Sequence, residues 1–439
     1  MDTTIAQLGP CGVPSPLDMS TVPGDMEGDY VPDTARVRYQ VRYGTGCDLP
    51  ADMSFEAAGP RQSIYFDPAT TRAAIVTCGG ICPGMNNVIR SAFLELTYRY
   101  GVPEVYGLPY GYAGLNPACG FAPMLLSRDI VDHIHEHGGT MIGTSRGPQL
   151  PEVMTQFLLD QRINLLICVG GDGTLRGAKT IADEALRRKL PIAVVGVPKT
   201  IDNDVLYVQR TFGVSTAIER AAEILDCAHT ESRSVLNGVG LVKVMGREAG
   251  FVACGAALAS QEVNLTLIPE LPFSLDGPGG VLEFLRQRLE RRQHAVIVVA
   301  EGAGQDLCEA AGTTDKSGNR KLGDIGLVLK SRITEHFKSI TMPVDVKYFD
   351  PSYYIRSVRA NSDDAIFCDQ LARLAVHAGM AGKTGVVIGQ WNSAFTHVPI
   401  AMATSGKKQV DPESPLWTSV LAATGQPRRF PAPPVAAAR

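Results

Sequence analysis

Short apolar runs alternate along this chain with stretches of helical spacing. Runs at 73–77, 163–169, 192–197, 238–244 and 295–300 predict buried strands. Helical patterns follow at 88–100, 174–190, 251–260 and 362–378. Another begins near Phe212, where Ala217, Ile218, Ala221, Ala222, Leu225 and Ala228 share one face. Strand and helix in alternation predict an α/β fold, with a mostly parallel sheet covered by helices on both faces.

Two turns carry the chemistry. The run at 163–169 ends in Gly170-Gly171-Asp172-Gly173-Thr174. The run at 192–197 ends in Pro198-Lys199-Thr200-Ile201-Asp202-Asn203-Asp204. A helix between them makes a strand–turn–helix–strand crossover, which pairs parallel strands. Both turns then lie at carboxyl ends of strands, where open α/β sheets bind ligands. One offers glycines and a carboxylate, the other two carboxylates, a lysine and a hydroxyl. Together they suit a phosphate chain, a metal ion and an attacking alcohol.

Residues 1–60 are rich in Pro, Gly, Asp and Thr and predict an extended arm. The regular domain begins near Ser63. Residues 304–324 predict a loop, and the Pro/Ala-rich tail from Pro427 predicts disorder. No repeat of 20–50 residues is visible.

Composition narrows the classes. At 439 residues, 45% hydrophobic and 20% charged, the chain has the make-up of a two- or three-domain globular enzyme. A net charge of -4 gives nucleic-acid binding no support as a main role. No apolar run reaches the roughly 18 residues of a membrane helix. The first basic residue is Arg36, which argues against a signal peptide. The 10 scattered cysteines read as reduced thiols of a cytoplasmic protein. Cys78 and Cys82 lack a partner pair at zinc spacing.

A Gly-Gly turn after a strand lets backbone N–H groups approach phosphate. There are two, Gly79-Gly80 and Gly170-Gly171, and neither is a Walker loop. Asp172 is suited to Mg²⁺, or else to capping a helix from Thr174. Asp202 and Asp204, two apart, would point the same way in an extended stretch. One could accept a proton from an alcohol; a loop turn is the alternative. Arg146 in Gly143-Thr144-Ser145-Arg146-Gly147 and Arg247 in Met245-Gly246-Arg247 are candidate phosphate forks, or surface ion pairs. His133 and His137 would share a helix face at i,i+4, read as solvated and not as a metal site.

Glycine turn, GTSRG, GGDGT, PKTIDND, MGR and a glutamate after an apolar strand occur here in one order. In that co-linear set the chain resembles the phosphofructokinases, from about residue 60 to 405. The early arm, YFDP near 65–68 and YYIRS near 353–357 resemble the plant and trypanosomatid branch. The resemblance implies two Rossmann-like parallel-sheet domains with the active site in the cleft between them, plus the arm. It implies residues 61–212 and about 352–405 for the nucleotide, and 213–351 with a C-terminal segment for the sugar phosphate.

By the same resemblance, Gly80, Arg146, Gly147, Gly171, Asp172, Gly173, Thr174 and Lys199 would line ATP, with Asp172 on Mg²⁺. Asp202 would take the proton from the 1-hydroxyl of fructose 6-phosphate, beside Thr200 and Ile201. Met245, Gly246, Arg247 and Glu301 would hold the sugar. Lys347, Tyr353 and Arg356 would hold its 6-phosphate, with Tyr354 and Ile355 also among the substrate-binding residues. Arg146 and Arg247 would neutralise the transferring phosphoryl group. ATP users resemble each other in a glycine at position 173, where diphosphate users have aspartate. Lys199 resembles the diphosphate users, but the plant-like ATP enzymes combine the two. Gly238 stands where the bacterial pattern has an arginine that reaches across a subunit interface. A homotetramer or homodimer, acting in glycolysis, is the implied form. A diphosphate-dependent enzyme, another GGDGT kinase and a non-catalytic sugar-phosphate regulator are the alternatives.

Overall fold

The computed structural model describes residues 2–41, 53–308 and 321–431. In chain order its main strands are β1 (Arg36–Arg38), β2 (Ser54–Ala57), β3 (Arg72–Thr77), β4 (Glu104–Leu108), β5 (Met124–Leu125), β6 (Leu165–Gly170) and β7 (Ala193–Pro198). Then come β8 (Gly238–Val244), β9 (Leu265–Leu267), β10 (His294–Ala300), β11 (Asp345–Phe349), β12 (Val386–Trp391) and β13 (Ala394–Pro399). The chain divides into two compact units. The first holds 1–200, 205–213 and 357–407, and the second holds 201–204, 214–356 and 408–439.

The first unit is built on a 9-stranded sheet in the order β1-β2-β13-β12-β7-β6-β3-β4-β5. β12, β7, β6, β3 and β4 run parallel, and the strands at both margins are antiparallel. Helix α1 (Asp172–Arg187) makes the crossover from β6 to β7. Its buried face is Leu175, Ala178, Ile181, Ala182 and Ala185. Fully burying the leucine and the isoleucine contributes about 1.5–3 kcal/mol each. Gly196 in β7 lets α1 come close, because a Cβ there would lie 2.6 Å from Leu175 Cδ2.

The second unit carries a 4-stranded, wholly parallel sheet, β9-β10-β8-β11. Its central strands are apolar on both faces, as a covered parallel sheet requires. Helices α2 (Val214–Arg233) and α3 (Phe251–Ser260) pack together there. Gly255 allows the approach, since a Cβ would meet Ile218 Cδ1 at 2.4 Å.

Four expectations need correction. The N-terminal segment pairs with the first unit, through Ala6–Gln7 on Lys383–Thr384, Val13–Pro14 on Ser63–Ile64, and β1 and β2 in the main sheet. Buried Glu56 binds it further, contacting Arg61 Nη2 at 2.8 Å, Lys383 Nζ at 2.9 Å and His397 Nδ1 at 3.0 Å. Burial opposes the Glu56 charge, but the His397 and Lys383 hydrogen bonds outweigh it and hold the carboxyl at about 2.

The histidine stretch is no single helix. One helix ends at Val131, a 3₁₀ turn spans Ile134–Glu136, and His133 caps it. His133 Nδ1 meets Glu136 Oε1 at 3.1 Å instead of sharing a face with His137. Asn86 decides the path: it donates to His137 O (3.1 Å) and accepts from Met141 N (2.8 Å).

The helix expected at 88–100 starts at Met85 and widens into a π-helical turn, Glu95–Tyr100, where buried Glu95 meets Arg373. The tail from Pro427 is packed at its start. Phe430 is buried against Phe284, and Ser274 N donates to Pro431 O at 2.7 Å. The remaining tail residues, 432–439, and most of the 304–324 loop lie outside the described residues.

Candidate active site

In the first unit, three loops meet at the carboxyl ends of β3, β6 and β7. β3 leads into Cys78, whose N–H donates to Val169 O at 3.0 Å. Gly79 turns at φ 85°, a left-handed conformation that favours glycine. Its N–H donates to Ser145 O (3.0 Å), and the Thr144 hydroxyl donates to its carbonyl (2.8 Å). The GTSRG stretch is thus fastened beside the first glycine turn. Lys199 fastens the third loop: its N–H donates to Gly170 O at 3.1 Å, and its ammonium donates to Gly80 O. Lys199 is buried, while Arg146 on the GTSRG loop is exposed.

The second glycine turn is shaped by close contacts. Thr174 Oγ1 stands 2.1 Å from where a Cβ of Gly170 would be. Gly171 is the N-cap of α1 in extended backbone, and no side chain caps it. The first-turn N–H groups therefore remain available to an anion. Asp172 lies inside the first turn and is not the cap; its Oδ2 is 2.7 Å from Arg176 and 3.7 Å from Lys407.

Gly173 is different. A Cβ there would meet nothing within 4 Å, and its φ is ordinary. Within a helix, glycine costs about 1 kcal/mol relative to alanine. Neither packing nor backbone geometry asks for glycine at this place, so the open space itself is the feature.

Mg²⁺ takes one or two carboxylates and completes its shell with phosphate oxygens and water. Asp172, half-buried at the mouth of a helix with free N–H groups, fits that donor set. Binding there would exchange the Arg176 contact for the metal.

In the second unit, the Met245–Arg247 loop and Glu301–Gly302 lie at the ends of β8 and β10. Glu301 N donates to Val244 O (2.9 Å), and Gly302 N donates to Gly246 O (3.0 Å). A Cβ on Gly302 would stand 1.8 Å from Arg247 O, so the two turns touch through backbone. Gly246 has φ 139°, which also suits glycine. Arg247 N donates to Asp202 Oδ2 at a long 3.4 Å, bringing the acidic turn to this loop. Burial pushes the Glu301 carboxyl up, against the pull of Arg247, Lys243 and Arg356. Two arginines and a lysine thus act electrostatically on one carboxylate, a charge balance that suits a phosphorylated polyol.

Asp202 and Asp204 do not sit in an extended stretch as expected. Asn203 between them takes φ 53°, the left-handed region that asparagine tolerates. The period-2 argument for the two carboxylates therefore fails.

Further along, Arg356 lies over the Tyr353 ring at 4.8 Å, and its Nε is buried with no hydrogen-bond partner among the described residues. Tyr353 and Tyr354 are exposed, and Lys347 Nζ pairs with Asp345 at 3.0 Å. Ile355 is fully buried, and its N–H donates to Pro351 O. It anchors this segment and presents no side chain to a ligand, unlike its expected place among the sugar-phosphate residues. Ile201 is likewise buried, and Thr200 O accepts from the Thr211 hydroxyl at 2.7 Å.

A model of the family described as Phosphofructokinase matches residues 72–379. The chain belongs to the phosphofructokinase family. A Borreliella burgdorferi protein named ATP-dependent 6-phosphofructokinase is 44% identical over 435 residues, covering 97% of each chain. A Trypanosoma cruzi protein of the same name is 45% identical over 387 residues, 86% of this chain and 78% of its own. Among solved structures, a pyrophosphate-dependent phosphofructokinase from Nitrosospira multiformis aligns with TM-score 0.67 at 17% identity. It covers 84% of this chain and 95% of its own, a likeness of fold.

Two features of this phosphofructokinase go beyond its motifs. Gly238, at the place of the bacterial arginine, has no room for a side chain: a Cβ would lie 2.1 Å from Ser232 O. Lys243, two residues before Met245, bridges Asp324 (3.0 Å) and Asp350 (2.9 Å). A lysine inside the apolar run of β8 was the available signal for it. Among the described residues, no helix is long and apolar enough to cross a membrane.

Proposed function

We propose that the protein phosphorylates fructose 6-phosphate at its 1-hydroxyl, with ATP as donor and Mg²⁺ as the ion, to give fructose 1,6-bisphosphate and ADP. The observation that carries the donor assignment is the open position at Gly173, a helical glycine kept where neither packing nor φ demands one. A carboxylate there would crowd and repel the α-phosphate of ATP. The ATP-dependent names of the relatives support the same assignment.

In this scheme Gly80, Arg146, Gly147 and residues 171–174 hold the nucleotide, with Lys199 beside Gly80. Asp172 would hold Mg²⁺, which when bound supplies charge neutralisation on the phosphate oxygens. Asp202 takes the hydroxyl proton as the sugar oxygen bonds to the γ-phosphorus and the bridging oxygen leaves with ADP. Glu301, Met245 and Gly246 orient the sugar. Arg356, Lys347, Tyr353 and Tyr354 bind its 6-phosphate. Arg146 and Arg247 stabilise the charge that develops in the transfer. A homodimer or homotetramer in the cytoplasm belongs to the same proposal.

A coupled assay with fructose 6-phosphate decides the donor. Turnover with ATP and none with pyrophosphate is expected. Activity with pyrophosphate alone would overturn the assignment and return weight to Lys199.

A further inference from the structure

A short segment late in the chain, 408–410, is stitched to three loops of the second unit. Lys408 Nζ donates to Asn203 Oδ1 at 3.0 Å, and Lys408 N donates to Asp204 O at 2.9 Å. Gln409 Nε2 donates to Glu248 O at 2.9 Å, next to the Met245–Arg247 loop. Val410 N donates to Glu270 Oε1 at 2.7 Å. The same Glu270 oxygen accepts from Gly250 N at 2.9 Å, where α3 begins. The Lys408 ammonium also lies 5.2 Å from the centre of the Phe251 ring, at the first residue of α3.

The contacts converge on the acidic turn. Asn203 holds a left-handed φ of 53°, and the one side-chain oxygen it offers is taken by Lys408. The residue on its N-terminal side is Asp202, whose Oδ2 meets the Arg247 N–H. Both neighbours of the Asp202 carboxylate are thus fixed from the same segment: Asn203 through Lys408, and the loop of Arg247 through Gln409 and Glu270. Burial disfavours the lysine charge and, against the pull of Asp204, brings the ammonium down to about 7. A desolvated amine is an expensive way to fill space. A methionine would fill the volume over Phe251 without that cost, so the amine is retained for its hydrogen bond.

We infer that Lys408 is a positioning residue for phosphoryl transfer, holding the Asp202–Asp204 turn in register with the Met245–Arg247 loop through Asn203. This rests on the proposed role of Asp202. Lys408 touches neither donor nor acceptor in this scheme; it acts through the turn. Misplacing a reacting group by about 1 Å can cost about 10²-fold in rate, so the effect belongs in kcat.

The test uses the full chain and begins with the wild type, assayed with ATP and fructose 6-phosphate. An inactive wild type would defeat the proposed function and so the premise. With an active wild type, Lys408→Met is expected to lower kcat by about 10–10²-fold, with KM for ATP within about twofold. Lys408→Gln keeps an N–H donor and is expected to retain at least about a third of kcat. In an Asp202→Ala background, Lys408→Met is expected to cost nothing further, because the two act through one group. Wild-type kcat in a folded Lys408→Met overturns the inference, as do losses that multiply in the double variant. Should Lys408→Met fail to fold by circular dichroism, Lys408→Gln decides: a folded Gln variant that has lost its activity removes the hydrogen bond as the cause.

Discussion

Asp202→Ala is expected to lower kcat by roughly 10²–10⁴-fold, the range for a lost general base. The fold should be unaffected. Asp202 is partly exposed, and its Oδ2 accepts a long 3.4 Å bond from Arg247 N. Asp202→Asn makes the test sharper, since it keeps the shape and removes the base. Phosphoryl transfer asks more of positioning than of basicity. An Asn variant that recovers most of the activity lost in the Ala variant would therefore assign Asp202 to orientation and not to proton transfer. Near-normal turnover in Asp202→Ala would remove it from the mechanism. Steady-state kinetics with both substrates varied, beside a thermal melt, supply every quantity needed.

Arg247→Ala should damage rate and sugar affinity together. One donor to the transition state is worth about 10²–10³ in kcat, and the same guanidinium pulls on the Glu301 carboxyl, proposed above to orient the sugar. The backbone of this loop is held by Gly246 at φ 139° and by the 3.0 Å bond from Gly302 N to Gly246 O. The melting temperature should thus stay close to wild type. Arg247→Lys should recover part of the loss and not all, because an ammonium replaces the charge without the planar fork. Unchanged kcat and KM in Arg247→Ala would contradict the assignment.

The sheets and the site loops were legible in the sequence for a physical reason. Strands β6, β7, β8 and β10 are buried on both faces, so they read as continuous apolar runs, and the glycine turns that end them are short and local. What was not legible depends on distant partners. Lys408 reaches Asn203 across 205 residues, and Asn86 diverts the histidine stretch from 51 residues away. No periodicity records such contacts. The left-handed Asn203 belongs to the same class: asparagine permits that φ without announcing it. Ile355 shows the opposite error, where proximity in a motif stood in for orientation, and the side chain turned inward.

The N-terminal segment has a consequence for solution behaviour. On that side the main sheet terminates in β1, a three-residue strand whose ends are Arg36 and Arg38. Charged, short outer strands discourage one sheet from adding to another. Arg36 also folds back onto Ser54 O, and its guanidinium meets the Thr3 hydroxyl at 2.9 Å. A chain begun at residue 61 would lose β1 and β2 and leave β13 with an open row of backbone donors and acceptors. It would also strip Lys383 and His397 of Glu56. Such a truncation is expected to self-associate, with light scattering rising over hours at micromolar concentration. A monodisperse truncated protein would show that the guard lies elsewhere. In that sense the segment is a solubility device: it keeps a nine-stranded sheet from becoming a ten-stranded one.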